Sequence, residues 1–120
     1  MSVRVALAAL LLGAAGCGAG HRDDGGDGAD VDAAPAATNV VEMPRHYRFE
    51  PVAIRVTAGT TVTWRNTDDF THSVRLDLDG AQVHVVRPGD SLRLTFDEPG
   101  RYPYTCTLHP HNMRGVVVVE

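Results

Sequence analysis

The sequence predicts an all-β sandwich for its larger, C-terminal part, and three observations carry that expectation. From Thr38 onward, short runs rich in β-branched and aromatic residues recur at near-regular spacing. Each run stops at turn residues such as Asp79-Gly80, Pro88-Gly89 or Pro99-Gly100. No segment carries a helical apolar period. Many short strands with regular punctuation are the pattern of two packed antiparallel sheets.

The elements follow in order. Val52 to Val56 leads into Ala58-Gly59. Thr61 to Arg65 alternates and ends at Asn66. Ser73 to Leu78 alternates and stops at Asp79-Gly80, a hairpin signal. Gln82 to Val86 and Ser91 to Phe96 stop at the two Pro-Gly pairs, and Tyr102 to Cys106 and Gly115 to Val119 close the domain. Side chains alternate across a strand, so Val62/Trp64, Val74/Leu76/Leu78, Leu92/Leu94/Phe96 and Tyr102/Tyr104 are expected to line the interior. Val116 to Val119 is apolar throughout, as in a covered central strand. His84, between Val83 and Val85, is expected to face solvent.

The N-terminal part reads differently. Arg4 precedes an apolar run, Val5 to Ala15, that is short for a membrane span and suits the core of a signal peptide. It ends Ala14-Ala15-Gly16-Cys17, and small residues before a Cys resemble the bacterial lipoprotein signal, with Cys17 as the lipidated residue. Ala14 stands where such signals usually have Leu. The alternative is cleavage near Ala15 or Ala19, leaving a soluble periplasmic protein. Gly18 to Ala37 is mostly Gly, Asp and Ala; it has too little apolar surface to offset chain entropy and reads as a flexible tether. The expected organisation is a lipoprotein-type signal peptide over 1–17, a linker over 18–37 and one domain over 38–120. That places the domain on the periplasmic side of a bacterial cell envelope.

Charge excludes one class of partner. The chain carries a formal net charge of −4, with five acids (Asp23, Asp24, Asp27, Asp30, Asp32) in the N-terminal stretch. From Thr38 onward nine Arg face ten Asp plus Glu, so the basic balance of a nucleic-acid binder is missing. The two cysteines, Cys17 and Cys106, permit one disulfide by count. Their settings, an export-like segment and a polar loop, point instead to two separate roles.

That loop carries the chemistry. Cys106, His109 and Met113 put a thiolate, an imidazole and a thioether between two strands, at separations of three and four residues. His72, opening a strand after the Asn66–Thr71 loop, is the best candidate for a fourth ligand. Imidazole and thiolate bind Cu(II), while thiolate and thioether favour Cu(I), so the set suits one copper ion in both oxidation states. A second imidazole, His111, lies on the same loop and competes with His109 for the metal. Thr105 and Thr107 flank Cys106, so no His-Cys-His relay to further coppers exists. A single loop cysteine excludes a dinuclear copper centre. The set does not read as an enzyme's.

Several stretches resemble the cupredoxin family, of the amicyanin and plastocyanin type. Phe49-Glu50-Pro51 and Val56 to Asn66 look like its first strands, and Thr71-His72-Ser73-Val74 looks like its upstream ligand. Pro99 to Pro110 and Met113 to Glu120 are especially similar to amicyanin. The resemblance implies a Greek-key β-sandwich and a monomer. It implies a type 1 copper site with His72, Cys106 and His109 as equatorial ligands and Met113 as the axial one. It further implies electron exchange with transient redox donors and acceptors. The alternative is periplasmic copper storage or delivery without electron relay. Two departures stand out: the His-to-Met spacing is one residue longer than in amicyanin, and Ser73 stands where many members have Asn.

Overall fold

The computed structural model describes residues 2–3, 30–109 and 113–120. The signal peptide beyond Val3, the Cys17 lipidation site, the linker as far as Ala29 and the alternative ligand His111 lie outside the described residues.

Among the described residues, ten strands make two sheets. They are β1 (Ser2–Val3), β2 (Ala36–Ala37), β3 (Val40–Met43), β4 (Ala53–Val56), β5 (Thr60–Asn66), β6 (His72–Leu76), β7 (His84–Val86), β8 (Ser91–Phe96), β9 (Gly100–Thr105) and β10 (Arg114–Val119). One sheet has the order β1-β8-β5-β3, the other β2-β4-β10-β9-β6-β7. The chain crosses between the sheets after β5 and returns after β7, which is why non-neighbours in sequence pair in space.

The alternation read from the sequence lines the interior. Val62, Trp64, Val74, Leu76, Leu94, Phe96, Tyr102 and Tyr104 are buried in one core, and Leu78 and Leu92 pack against it. Val62 lies opposite Leu94 and Trp64 opposite Leu92 across the β5–β8 pair. Trp64 meets Tyr104 edge-on at 5.4 Å between ring centroids, and Phe96 meets Tyr102 at 5.0 Å. Each fully buried side chain of Leu or Phe size contributes roughly 1.5–3 kcal/mol by leaving water. As expected, β10 is central: it pairs with β4 on one side and β9 on the other.

Three features differ from or add to the sequence reading. Ala36–Ala37 already pairs with Ile54–Arg55, so the sheet begins inside the stretch read as linker. Arg101 donates to the Val31 carbonyl at 3.1 Å, which lays the residues before β2 against the domain. His84 is half-buried and its flanking Val83 and Val85 are exposed, at 44% and 64%, the reverse of the expected phase. The reason is register: Val86 pairs with the buried His72, so Val86 and His84 turn inward and Val85 turns out.

Gly115 shows how closely β9 and β10 are fitted. It lies opposite Tyr104, and a methyl group at Gly115 would overlap the Tyr104 ring. That ring is fully enclosed and cannot swing aside. Gly115→Ala should therefore cost roughly 2 kcal/mol, as overpacking of a tight core does. A lowered midpoint in urea unfolding at unchanged slope checks it; an unchanged midpoint would show that the ring has room.

Candidate metal centre

The site lies at one end of the sandwich, where the β5–β6 and β9–β10 loops meet. Asn66, the last residue of β5, organises the first loop. Its buried side-chain amide donates to the carbonyls of Phe70 and Val86 at 2.8 and 2.9 Å, and its oxygen accepts from the Asp68 N–H at 2.9 Å. Both amide hydrogens and one oxygen lone pair are thus engaged, which curls residues 67–71 back over the sheet end and ties them to β7.

That curl buries Asp68 beneath the turn. The Asp68 carboxylate lies 2.9 Å from His72 Nε2, with side-chain exposures of only 4% and 0%. A carboxylate there makes Nε2 the protonated nitrogen and leaves Nδ1 as the lone-pair donor. His72 Nδ1 is buried with no hydrogen-bond partner among the described residues. Burial pushes the Asp68 pKa up, but hydrogen bonds from His72 and the Asp69 N–H, with the charge of Arg45, outweigh it and hold the carboxyl below its ordinary value. By sequence alone Asp68 reads as a turn residue; the structure makes it the partner of a ligand.

The second loop is closed at its neck. The Cys106 N–H donates to the Met113 carbonyl at 3.0 Å, His109 N–H to the Cys106 carbonyl at 3.2 Å, and Met113 N–H to the His109 carbonyl at 3.0 Å. Three ligand-type residues are thus tied to one another through their own backbones. Cys106 is a free, fully buried thiol. Met113 is fully buried too. His109 is half-buried, but its Nδ1 is enclosed and without a partner among the described residues.

Ser73 joins the loops. Its N–H points at Cys106 Sγ at 3.4 Å and its hydroxyl lies 3.7 Å from the same sulfur. The hydroxyl also accepts from the Thr107 N–H at 2.8 Å and meets Thr107 Oγ1 at 2.7 Å. The tie that Asn makes in many family members is made here by Ser. Hydrogen bonds to the sulfur tune the redox potential of a copper thiolate.

One residue was not legible in the sequence as part of the site. Tyr47 packs on His109 at 4.3 Å between centroids, stands edge-on to His72 at 6.3 Å and touches Phe70 at 6.1 Å. It is held there by a turn in which His46 and Tyr47 both adopt left-handed backbone, φ 77° and 51°. Such a conformation costs a non-glycine residue roughly 1–2 kcal/mol. His46 itself is exposed.

The donor set fits a single soft-to-borderline ion. One ring nitrogen each of His72 and His109 and the Cys106 sulfur all lie within 4.8 Å of one another. Two enclosed nitrogens without partners would be costly to bury unless something occupied the space between them. A metal bound by a thiolate and two imidazoles answers that cost, and buried Met113, whose backbone is bonded to Cys106 and His109, offers a thioether that favours copper.

Fold and site together define a mononuclear copper protein built on a two-sheet β-sandwich. The chain belongs to the plastocyanin/azurin family of copper-binding proteins, whose family pattern matches residues 36–120. It is 35% identical to amicyanin-alpha of Methylorubrum extorquens over 98 residues, 75% of this chain and 78% of that one. It is 34% identical to the plastocyanin of Scenedesmus fuscus, covering 60% of this chain and 86% of the other. Among solved structures, a reduced tryptophan variant of amicyanin superposes with a TM-score of 0.64 at 32% identity, over 75% of this chain and 89% of that one. A purple cupredoxin from Nitrosopumilus maritimus superposes at 0.61 with 26% identity, over 69% of this chain and 100% of the other. The protein is a cupredoxin, not an enzyme, and its cofactor is copper.

Proposed function

We propose that this protein is a type 1 copper electron carrier of the cell envelope, whose copper would be held by His72, Cys106, His109 and Met113. The observation that carries this reading is the gathering of one ring nitrogen each of His72 and His109 and the buried Cys106 sulfur within 4.8 Å, with both Nδ1 atoms enclosed and without a partner among the described residues. Copper bound there would supply a one-electron Cu(II)/Cu(I) couple. The residues do the rest. Asp68 orients His72, Ser73 holds the sulfur, and the loop neck holds Cys106, His109 and Met113 in fixed relation. A site held this firmly changes little with oxidation state, which keeps electron transfer fast.

Storage or delivery fits less well. Delivery asks for a thiol that a partner can reach, whereas Cys106 is fully enclosed. His109, half-buried, is the ligand nearest solvent; exposed Leu108 is its chain neighbour, and exposed Phe70 meets Tyr47, which packs on the His109 ring, so the ligand has an apolar margin. Such a margin suits brief encounters with redox proteins. The envelope location rests on the export-like segment before Cys17.

The visible spectrum of the copper-loaded protein tests the reading. An intense thiolate-to-Cu(II) band and a reversible one-electron couple are expected. A colourless species that holds only Cu(I) would overturn it in favour of storage.

A further inference from the structure

The sulfur of the centre has two hydrogen-bonding groups of Ser73 beside it. The Ser73 N–H points at Cys106 Sγ at 3.4 Å, and the Ser73 hydroxyl oxygen lies 3.7 Å from the same atom. The N–H can only donate. For the hydroxyl, the direction of its hydrogen decides whether the sulfur gains a second donor.

Counting hydrogens and lone pairs fixes that direction. A serine hydroxyl offers one hydrogen and two lone pairs. Three polar neighbours compete for them. The Thr107 N–H, at 2.8 Å, can only donate, so it takes one lone pair. Cys106 Sγ is a thiolate once it holds a metal, and a thiolate can only accept. Thr107 Oγ1, at 2.7 Å, can do either. One arrangement satisfies all three: the Thr107 hydroxyl donates to Ser73, filling the second lone pair, and the Ser73 hydrogen turns to the sulfur. The reverse arrangement would aim a hydroxyl lone pair at a thiolate.

Exposure points the same way. Ser73 is only 1% exposed, so bulk water does not replace the sulfur as its acceptor. Thr107 is exposed, and solvent can supply the hydrogen that its own oxygen accepts. Hydrogen bonds in series polarise one another, so the Thr107 hydroxyl strengthens the bond that Ser73 makes. Ser73 follows His72, and Thr107 follows Cys106, so both hydroxyls sit on backbone that the ligands already fix.

We propose that Thr107 and Ser73 form a hydroxyl relay that ends on the Cys106 thiolate, giving the sulfur a side-chain hydrogen bond besides the one from the Ser73 N–H. Both act through the sulfur and are positioning residues. The relay rests on the electron-carrier reading, because a donor on the sulfur serves that function by setting the potential. The sulfur is more negative in the reduced state, and hydrogen bonds to charged acceptors are the stronger ones. The relay therefore favours the reduced state and raises the potential. A serine can do this only with a second hydroxyl to turn its hydrogen, and Thr107 supplies one.

Two variants and one metal substitution test the relay. Ser73→Ala keeps the backbone N–H and should lower the reduction potential and move the visible band to longer wavelength. At a fixed applied potential its Cu(I)/Cu(II) ratio should fall roughly two- to tenfold, the range of one net hydrogen bond. That variant also unties the Thr107 N–H, so Thr107→Val carries the decision. It alters an exposed residue and leaves the Ser73 hydroxyl and its bond from the Thr107 N–H in place. Band and potential should shift in the same direction as in Ser73→Ala, by less. If Ser73 instead donates to Thr107, Thr107→Val frees that hydrogen for the sulfur and both shifts reverse. Reversed shifts, or none in either variant, would overturn the proposal. Protein loaded with an NMR-active cadmium isotope gives a readout without copper: coupling from the metal should reach the Ser73 hydroxyl proton as well as its amide proton. Coupling to the amide alone, with the hydroxyl proton nearest Thr107 Oγ1, would also overturn it. The cadmium form needs no coloured state, so absence of the band in the copper form would sink the carrier reading separately.

Discussion

His109→Gly is expected to abolish the intense visible band of the copper-loaded protein, and His111→Ala to leave it in place. The ring nitrogen of His109 lies in the same 4.8 Å cluster as His72 and Cys106, and its Nδ1 is enclosed without a partner among the described residues. Its backbone N–H is held by Cys106 and its carbonyl by Met113, so the ring's position is set from both sides of the loop. Removing it takes away one of three strong donors. Loss of a ligand should weaken copper binding by more than the ten- to hundredfold that loss of a partner behind a ligand typically causes. Added imidazole should restore the band in His109→Gly by entering the space the side chain left. The checks are a visible titration with Cu(II), with and without imidazole. Loss of the band in His111→Ala alone would transfer the ligand role to His111.

The ligand set was legible in the sequence because its chemistry is written in residue type. Thiol, imidazole and thioether within one short loop have few structural uses together, and a loop of that length cannot scatter them far. The sandwich was legible for a related reason: strict alternation at Thr61–Arg65 and Ser91–Phe96 leaves one register that buries Val62, Trp64, Leu94 and Phe96. What stayed hidden depends on backbone pairing or on loop closure. Ala36–Ala37 offers only methyl groups, so its membership of the sheet rests on the ladder with β4. The phase of β7 is ambiguous in the sequence because Val85 and Val86 are adjacent valines, either of which can begin the alternation. Tyr47 reaches His109 only through a left-handed turn that no glycine marks. Asp68 reads as one of two turn acids, and nothing in Asp68-Asp69 distinguishes them. The difference arises from Asn66, which folds the loop so that Asp68 is buried and Asp69 remains exposed.

That buried carboxylate gives the second large expected effect. Asp68→Ala should destabilise the protein by about 2–3 kcal/mol, because it strands His72 Nε2–H in a site closed to water. It should also weaken copper binding ten- to hundredfold, since a carboxylate behind a ligand imidazole fixes its tautomer and raises its basicity. Asp68→Asn separates the two effects. An amide oxygen can still accept from Nε2–H and should recover most of the stability. Lacking the charge, it should leave the copper less tightly held and raise the reduction potential, because a negative charge near the site favours Cu(II). The pH dependence follows from the sign of the shift. The Asp68 carboxyl is held below 3.8 in the folded protein, so its contribution is complete above 3.8 and is lost as pH falls through the lower folded value. Wild type should thus lose stability relative to Asp68→Asn only in strong acid, and the two curves should run parallel above that window. Urea unfolding across pH, together with potentials of the copper-loaded forms, reads all three quantities. Equal potentials in Asp68→Asn and wild type would reduce Asp68 to a purely structural partner of His72.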